Sequence, residues 1–340
     1  MHKVLAKILV NKLRVVIGSV ISDTLSAFVK GIQILDGFLV ANEAVDEARR
    51  LHKEMLLFKV DFEKAYDSID LNYLDNVMHK INFPTLWRKW MSECIGMATT
   101  SVLVNGCPME EFPMERGLRQ GDMLSLFLFL LAAEGFNVLM CSLKEAGLFR
   151  GYLVGHDNEL CLSHLQFSDN TFIIGEKSWS NVRSIRAVLM IFEHVSGFKV
   201  NFNKSLLIGV NVSDSWLHEA ALVMNCRVGA FPFVYFGLPI GRDPQRLDFW
   251  KPVLNSIVSR LSSWKSKFLS FGGRLILLKS VLSSLPINFI SFFKAPASII
   301  SSIKSLFKNF FCEGGEDFRK IAWVDWNSVC LSREEFNISL

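Results

Sequence analysis

Apolar positions recur along this chain at two spacings, and the alternation between them marks out helices and short strands. The first fifty residues read as helices around a polar turn at Ile21-Ser22-Asp23-Thr24. Leu56 to Phe62 is a short apolar run ending in polar residues, which fits a buried strand better than a helix. Leu71, Leu74, Val77 and Met78 then lie at helical spacing, and Pro84 marks that helix's far limit. Thr99–Val104 and Cys107–Phe112 flank Asn105-Gly106, the pattern of a β-hairpin with a type I′ turn. A glycine-bearing polar loop, Arg116 to Asp122, precedes a helix predicted from about Ser125 to Leu139. Tyr152–Leu165 and Asn170–Ile174 alternate as strands, with Asp169 in the tight turn between two of them. Val182, Ile185, Val188, Leu189 and Phe192 define an amphipathic helix that stops at Gly197. Val200 to Val210 returns as extended chain, and after Arg242 the pattern is helical and basic. Short strands interleaved with helices of unequal length predict an α+β fold over a regular βαβ series.

Composition narrows the class. At 340 residues and 50% hydrophobic, the chain can fill one large core or two ordinary ones. A net charge of +4 is mild, but its distribution is uneven. Between Arg242 and Lys308 many Lys and Arg residues face only Asp243 and Asp248. That asymmetry suits a polyanion-facing surface, and equally a set of solvated helix faces. The 7 cysteines form no CxxC pair and are odd in number. A zinc site and a disulfide partner are therefore not expected, and a reducing, intracellular compartment is, nuclear or cytoplasmic. The N-terminal segment is too charged for a signal peptide. Leu124–Ala133 stops at Glu134, short of the roughly 20 residues a membrane span needs, and Leu275–Ile290 is interrupted by Lys279 and Pro286. Both are expected as buried helices, with no membrane partner.

The candidate chemistry centres on Asp61, a carboxylate at the end of the Leu56–Val60 run, and on Asp169. Two strand-borne carboxylates that converge make a two-metal phosphoryl-transfer site. Magnesium prefers oxygen ligands and keeps several waters, so two or three protein ligands suffice, and the Phe62 carbonyl can add one. Glu63, Asp67 and Asp70 lie in or after the turn, exposed or capping the next helix. Tyr66 suits a ring under the sugar of an incoming nucleotide, where it would clash with a 2′-hydroxyl; it equally suits a core aromatic with a wet hydroxyl. Arg119, Gln120 and Gly121 form a loop that a template or nascent pair could approach, or simply a polar turn. Lys204 can bring a proton or positive charge to a leaving pyrophosphate, or lie on the surface.

Several segments together carry a resemblance: Ser26–Gly31, Gln33–Asp36, Val60–Ser68, Arg116–Asp122, His164–Asp169, Ser196–Asn201 with Lys204-Ser205, Tyr235–Ile240, Leu261–Lys265 and Gly272–Arg274. In this order they resemble the reverse transcriptases of LINE-type (non-LTR) retrotransposons abundant in plant genomes. The resemblance covers nearly the whole chain. It implies a right-hand polymerase: a reverse transcriptase domain at 1–242, with partial fingers at about 1–55 and palm at about 56–242, then a basic helical thumb-like region at 243–340. It implies RNA-directed DNA polymerisation, with an RNA template, a DNA primer, deoxynucleoside triphosphates and Mg2+. Asp61 and Asp169 would bind the metals, Tyr66 would gate the sugar, Gln120-Gly121 would lie by template and nucleotide, and Lys204 would assist pyrophosphate departure. Lys265, Lys267, Arg274 and Lys279 would hold the template–primer duplex through its phosphates.

The departures are specific. The family's turn reads Ala-Asp-Asp, whereas this chain has Ser168-Asp169-Asn170, replacing a charge with a neutral amide. Met123 and Leu126 stand at two proline positions, Ile32 at an arginine and Leu25 at a glutamine. The upstream endonuclease and an early Arg-Pro motif are missing, and the chain stops before the family's zinc-binding domain. These features predict a truncated copy from a decaying element. The alternatives to an active enzyme are a non-catalytic nucleic-acid-binding remnant and a pseudogene product.

Overall fold

The computed structural model describes residues 2–22, 36–96, 99–113, 116–155, 160–235, 237–263 and 269–312. Two helices come first, α1 (His2–Val20) and α2 (Asp36–Arg50). The polar turn expected at Ile21–Thr24 lies partly outside the described residues. The apolar run forms β1 (Met55–Val60), and β2 (Phe62–Glu63) follows Asp61. A single helical turn, α3 (Ala65–Ser68), leads into α4 (Leu71–Lys80), whose first free N–H groups, of Asn72 and Tyr73, donate to the Asp70 carboxylate. Helix α5 (Thr85–Gly96) was not marked by the sequence pattern. Met91 and Cys94 are buried in it while Leu86 and Trp90 stay exposed, so its periodicity is faint.

The predicted hairpin forms as nested pairs among β3 (Thr99–Thr100), β4 (Leu103–Val104), β5 (Cys107–Pro108) and β6 (Phe112–Pro113), β4 against β5 and β3 against β6. Asn105 and Gly106 have φ of 52° and 82°, as a type I′ turn requires. Helix α6 (Met123–Glu145) has 23 residues, longer than expected, and starts on an Asp122 cap. It is long and apolar enough to cross a membrane, yet 72% of its most apolar window is buried inside the protein. Its greasy residues form core.

Strands β7 (Tyr152–Val154) and β8 (Leu160–Leu162) pair with each other, and β9 (His164–Phe167) and β10 (Asn170–Glu176) form the next hairpin. Helix α7 (Trp179–Ser196) stops at Gly197, whose φ of 81° ends the helix as the sequence predicts. The expected extended run from Val200 to Val210 is instead β11 (Lys199–Val200), a tight turn over 201–205, and β12 (Leu206–Val210). Helix α8 (Asp214–Met224), β13 (Arg227–Val228), β14 (Phe233–Tyr235) and β15 (Leu238–Ile240) follow.

The main sheet has the order β13-β12-β1-β10-β9. Strand β1 lies at its centre, antiparallel to β10 from Met55↔Glu176 to Val60↔Thr171 and to β12 from Met55↔Val210 to Lys59↔Leu206. Leu56, Leu57, Phe58 and Val60 are all buried, each burial contributing roughly 1.5–3 kcal/mol. Helix α7 lies against β10, with α6 packed on α7 and α4 on both, while α2 reaches β9 and β12. Phe62 packs edge-on against Phe192 and Phe198, and Phe136 against His164. Phe172 meets Phe233 at a ring distance of 5.6 Å.

The chain divides into two compact units, Met1–Phe233 and Val234–Leu340. The boundary expected at 242 lies beyond this division, which falls inside β14. The second unit contains α9 (Leu247–Ser263), α10 (Phe271–Leu277), a π-helical turn (Leu278–Leu282), α11 (Ile287–Ile290) and α12 (Ala297–Cys312). Its core includes Phe249, Trp250, Ile257, Leu282 and Phe311, and the Trp250 indole N–H donates to the Pro244 carbonyl at 2.9 Å. The stretch Leu275–Ile290, expected as buried helix, leaves Ile276, Ile287 and Ile290 exposed. Among the described residues no cysteine pairs in a disulfide.

His164 supplies a test of this core. It is buried on β9, with Nδ1 3.0 Å from the Ser163 hydroxyl. Burial, reinforced by Lys144, pushes its pKa down to about 4. The unfolded imidazole titrates near 6.5, so the unfolded chain binds the extra proton between about pH 6.5 and 4. Stability is therefore full above that window and falls as the pH is lowered through it, by on the order of 3 kcal/mol in all. Urea melts across this range should show the loss in the wild type and a much flatter profile in His164→Met. Equal slopes would refute the assignment.

Candidate active site

The site lies where the central strand leaves the sheet. Val60 makes the last β1 pair with Thr171, and Asn170 opposes Phe167 across the β9–β10 turn. Asp61 and the Ser168-Asp169 turn are thereby brought to the same end of the sheet. The turn is tight because Ser168 takes a left-handed φ of 53°. Asp61 is half-buried and Asp169 exposed. Among the described residues neither carboxylate forms an ion pair. Asp169 instead accepts a hydrogen bond from the Asn170 amide at 3.2 Å. Asn170 thus donates to the neighbouring carboxylate, whereas an aspartate there would repel it.

No group of three or more His, Cys, Asp or Glu suited to a metal occurs among the described residues. Two uncompensated aspartates on a sheet end fit a hard cation that keeps several waters, and they do not fit a zinc site. Phe62, expected to lend its carbonyl, is anchored by its ring among Phe192 and Phe198.

Tyr66 belongs to this group. Its ring stacks on Phe129 at 4.4 Å with an interplanar angle of 21°. Burial raises its phenol pKa, a hydrogen bond with the Ser168 side chain opposes this, and the Asp169 charge adds to the rise. The hydroxyl therefore reaches the Ser168-Asp169 turn. The polar loop is fastened to the same segment: the Leu118 N–H donates to the Tyr66 carbonyl at 2.7 Å, and that of Gly117 to Ile69 at 2.9 Å. Beyond these anchors Arg119, Gln120 and Gly121 are exposed, lining a groove of about 420 Å³ with Ala6 and Lys7 of α1.

Lys204 is exposed in the turn that precedes β12. Since β12 pairs with β1 up to Lys59↔Leu206, this turn lies beside Asp61. Its backbone is held by Asn201, whose carbonyl and side-chain oxygen both accept the Lys204 N–H at 3.1 Å. The sequence reading missed Ser168, Phe129, Asn201 and Ser205 as members of the site. No local pattern marks these four as members of the site.

The basic residues expected to hold nucleic acid separate. Lys265 and Lys267 lie outside the described residues, and Lys279 is exposed on the π-helical turn. Arg274 is buried, with Nη1 donating to the Phe311 carbonyl at 3.3 Å, so its guanidinium ties α10 to α12 and does not face outward.

The family model described as reverse transcriptase (RNA-dependent DNA polymerase) matches residues 1–240. The Transposon TX1 uncharacterized 149 kDa protein of Xenopus laevis is 24% identical over 297 residues, 83% of this chain and 21% of that protein. The Pol polyprotein from type-1 retrotransposable element R2 of Popillia japonica is 24% identical over 189 residues, 54% of this chain and 26% of its own length. The chain therefore spans about a fifth to a quarter of these relatives. A Candida tropicalis telomerase in complex with a fragment of telomeric RNA aligns at a TM-score of 0.48 and 13% identity, over 91% of this chain and 46% of that one.

Gly117 tests the fastening of the loop. Its φ is +83°, and a Cβ there would stand 2.6 Å from the Asp67 carbonyl oxygen. Gly117→Ala should cost roughly 1–3 kcal/mol in a denaturant melt, through left-handed strain and backbone collision. Gly121→Ala, with nothing within 4 Å of its Cβ, should suffer the strain alone and lose less. Equal losses would deny the close approach.

Proposed function

Because the chain belongs to the reverse transcriptase (RNA-dependent DNA polymerase) family, we propose that the end of its central sheet is a nucleotidyl-transfer site that extends a DNA primer on an RNA template. It is a reverse transcriptase domain of the non-LTR retroelement kind. The observation that carries the reading is the convergence of Asp61 and Asp169 on one sheet end, with the Tyr66 hydroxyl against the same turn.

Asp61 and Asp169 would hold Mg2+, with the Phe62 carbonyl as a further oxygen. A magnesium ion held by these oxygens would favour deprotonation of the primer hydroxyl and offset the charge of the triphosphate. Tyr66, fixed by Phe129, would bear on the sugar of the incoming deoxynucleoside triphosphate and exclude a 2′-hydroxyl. Lys204 would neutralise the departing pyrophosphate. Gln120 and Gly121 would lie along the template and the new pair. The exposed lysines of the second unit, Lys279 among them, would contact phosphates of the duplex. Arg274 is not retained in that role.

Asn170 favours a second reading, a nucleic-acid-binding remnant in which polymerisation is weakened or lost. A neutral amide in place of a carboxylate removes one negative charge from the metal pair, and here it also engages an Asp169 oxygen. Primer extension with Mg2+ separates the two. In the catalytic reading Asp61→Asn abolishes extension and Asn170→Asp raises it about tenfold or more. No extension by either the wild type or Asn170→Asp would leave only binding, which should weaken steeply as salt rises. If extension occurs, Tyr66→Ala should raise ribonucleotide use relative to deoxynucleotide by about tenfold or more, and unchanged selectivity would remove the sugar-gate role.

A further inference from the structure

We propose that Ser205 is a positioning residue that locks the backbone of Asp61 and so sets the affinity of this sheet end for a divalent cation; this rests on the metal reading of the site. Ser205 is fully buried, with 0% exposure. Its Oγ accepts the Asp61 N–H at 3.0 Å and donates its own hydrogen to the Asn201 carbonyl at 2.9 Å. The Asn201 N–H returns to the Asp61 carbonyl at 2.8 Å. These bonds close a ring that grips Asp61 at both its N–H and its C=O, just where β1 pairing has ended.

The hydroxyl is needed for both of its roles. Alanine would leave the Asp61 N–H and one Asn201 acceptor site without this partner in a partly buried place. Ser205 is itself fixed: its N–H donates to Asn201 at 2.9 Å, and its carbonyl accepts the Arg227 N–H at 3.2 Å. The ring thereby fastens Asp61 to the turn that presents Lys204. A carboxylate on a pinned backbone is oriented before a cation arrives, whereas one on a loose strand end must be ordered on binding. Loss of a supporting hydrogen bond of this kind typically weakens metal binding by about 10–100-fold.

The test is Mn2+ binding followed by electron paramagnetic resonance, with amide hydrogen exchange by mass spectrometry on the same proteins. Asp61→Asn should abolish the tightest Mn2+ site. Ser205→Ala should weaken it about tenfold or more and speed exchange in the peptide spanning Val60–Phe62. Ser205→Thr, which keeps the hydroxyl, should restore most of both. Ser196→Ala serves as control: it deletes another buried hydroxyl, one bonded to the Phe192 carbonyl, and should leave Mn2+ affinity unchanged. Unchanged affinity in Ser205→Ala, or an equal loss in Ser196→Ala, overturns the proposal. Mn2+ binding that is indifferent to Asp61→Asn refutes the metal reading and with it the link to affinity. The exchange data then still decide the lock: unaltered exchange around Asp61 in Ser205→Ala refutes it.

Discussion

Strand β1 has no free edge. It is paired along one side to β10 and along the other to β12, and this double pairing fixes the rest of the first unit. Side chains alternate between the two faces of a sheet, so a slip of one residue in either ladder would exchange the faces. Val60 and Phe62 are directed to the helices, and Phe62 is held there by Phe192 and Phe198. Asp61 between them is therefore kept off the helical face. Hydrophobic register, set by residues with no chemistry of their own, decides where the carboxylate goes.

The other parts of the site hang from this one arrangement. The β9–β10 turn is adjacent because β10 is β1's neighbour, and the turn before β12 is adjacent because β12 is the other neighbour. The polar loop joins through the Tyr66 and Ile69 carbonyls, acceptors on the segment that follows β2. A chain that spans about a fifth to a quarter of the two retroelement relatives compared above thus holds the local geometry around Asp61. The second unit is built on different terms. Arg274 shows that a cation in a basic stretch can be a packing element, its Nη1 bonded to the Phe311 carbonyl.

Much of this was legible in the residues. The Asn105-Gly106 hairpin, the Gly197 stop and the Asp70 cap follow from local backbone chemistry, which short sequence windows contain. Helix α5 escaped because its buried stripe is thin, and the 201–205 turn escaped because apolar residues continue on both of its sides. Arg274 was misjudged because a guanidinium reads the same whether it meets a phosphate or a carbonyl. The roles of Ser168 and Ser205 depend on partners far along the chain, Tyr66 and Asp61, and no local pattern carries that information.

That distance has a temporal side. The Asp61–Ser205 bond spans 144 residues. A ribosome adding about 5–20 residues per second needs on the order of ten seconds to cover such a stretch. For most of that time β1 is an apolar strand with both edges unpaired, since β10 begins only at Asn170, and the edge that β12 will cover stays open to the end. Non-local pairing of this kind is slow and leaves the nascent chain open to wrong partners. The feature that gives the finished site its rigidity is also the one that makes the chain hardest to fold while it is being synthesised.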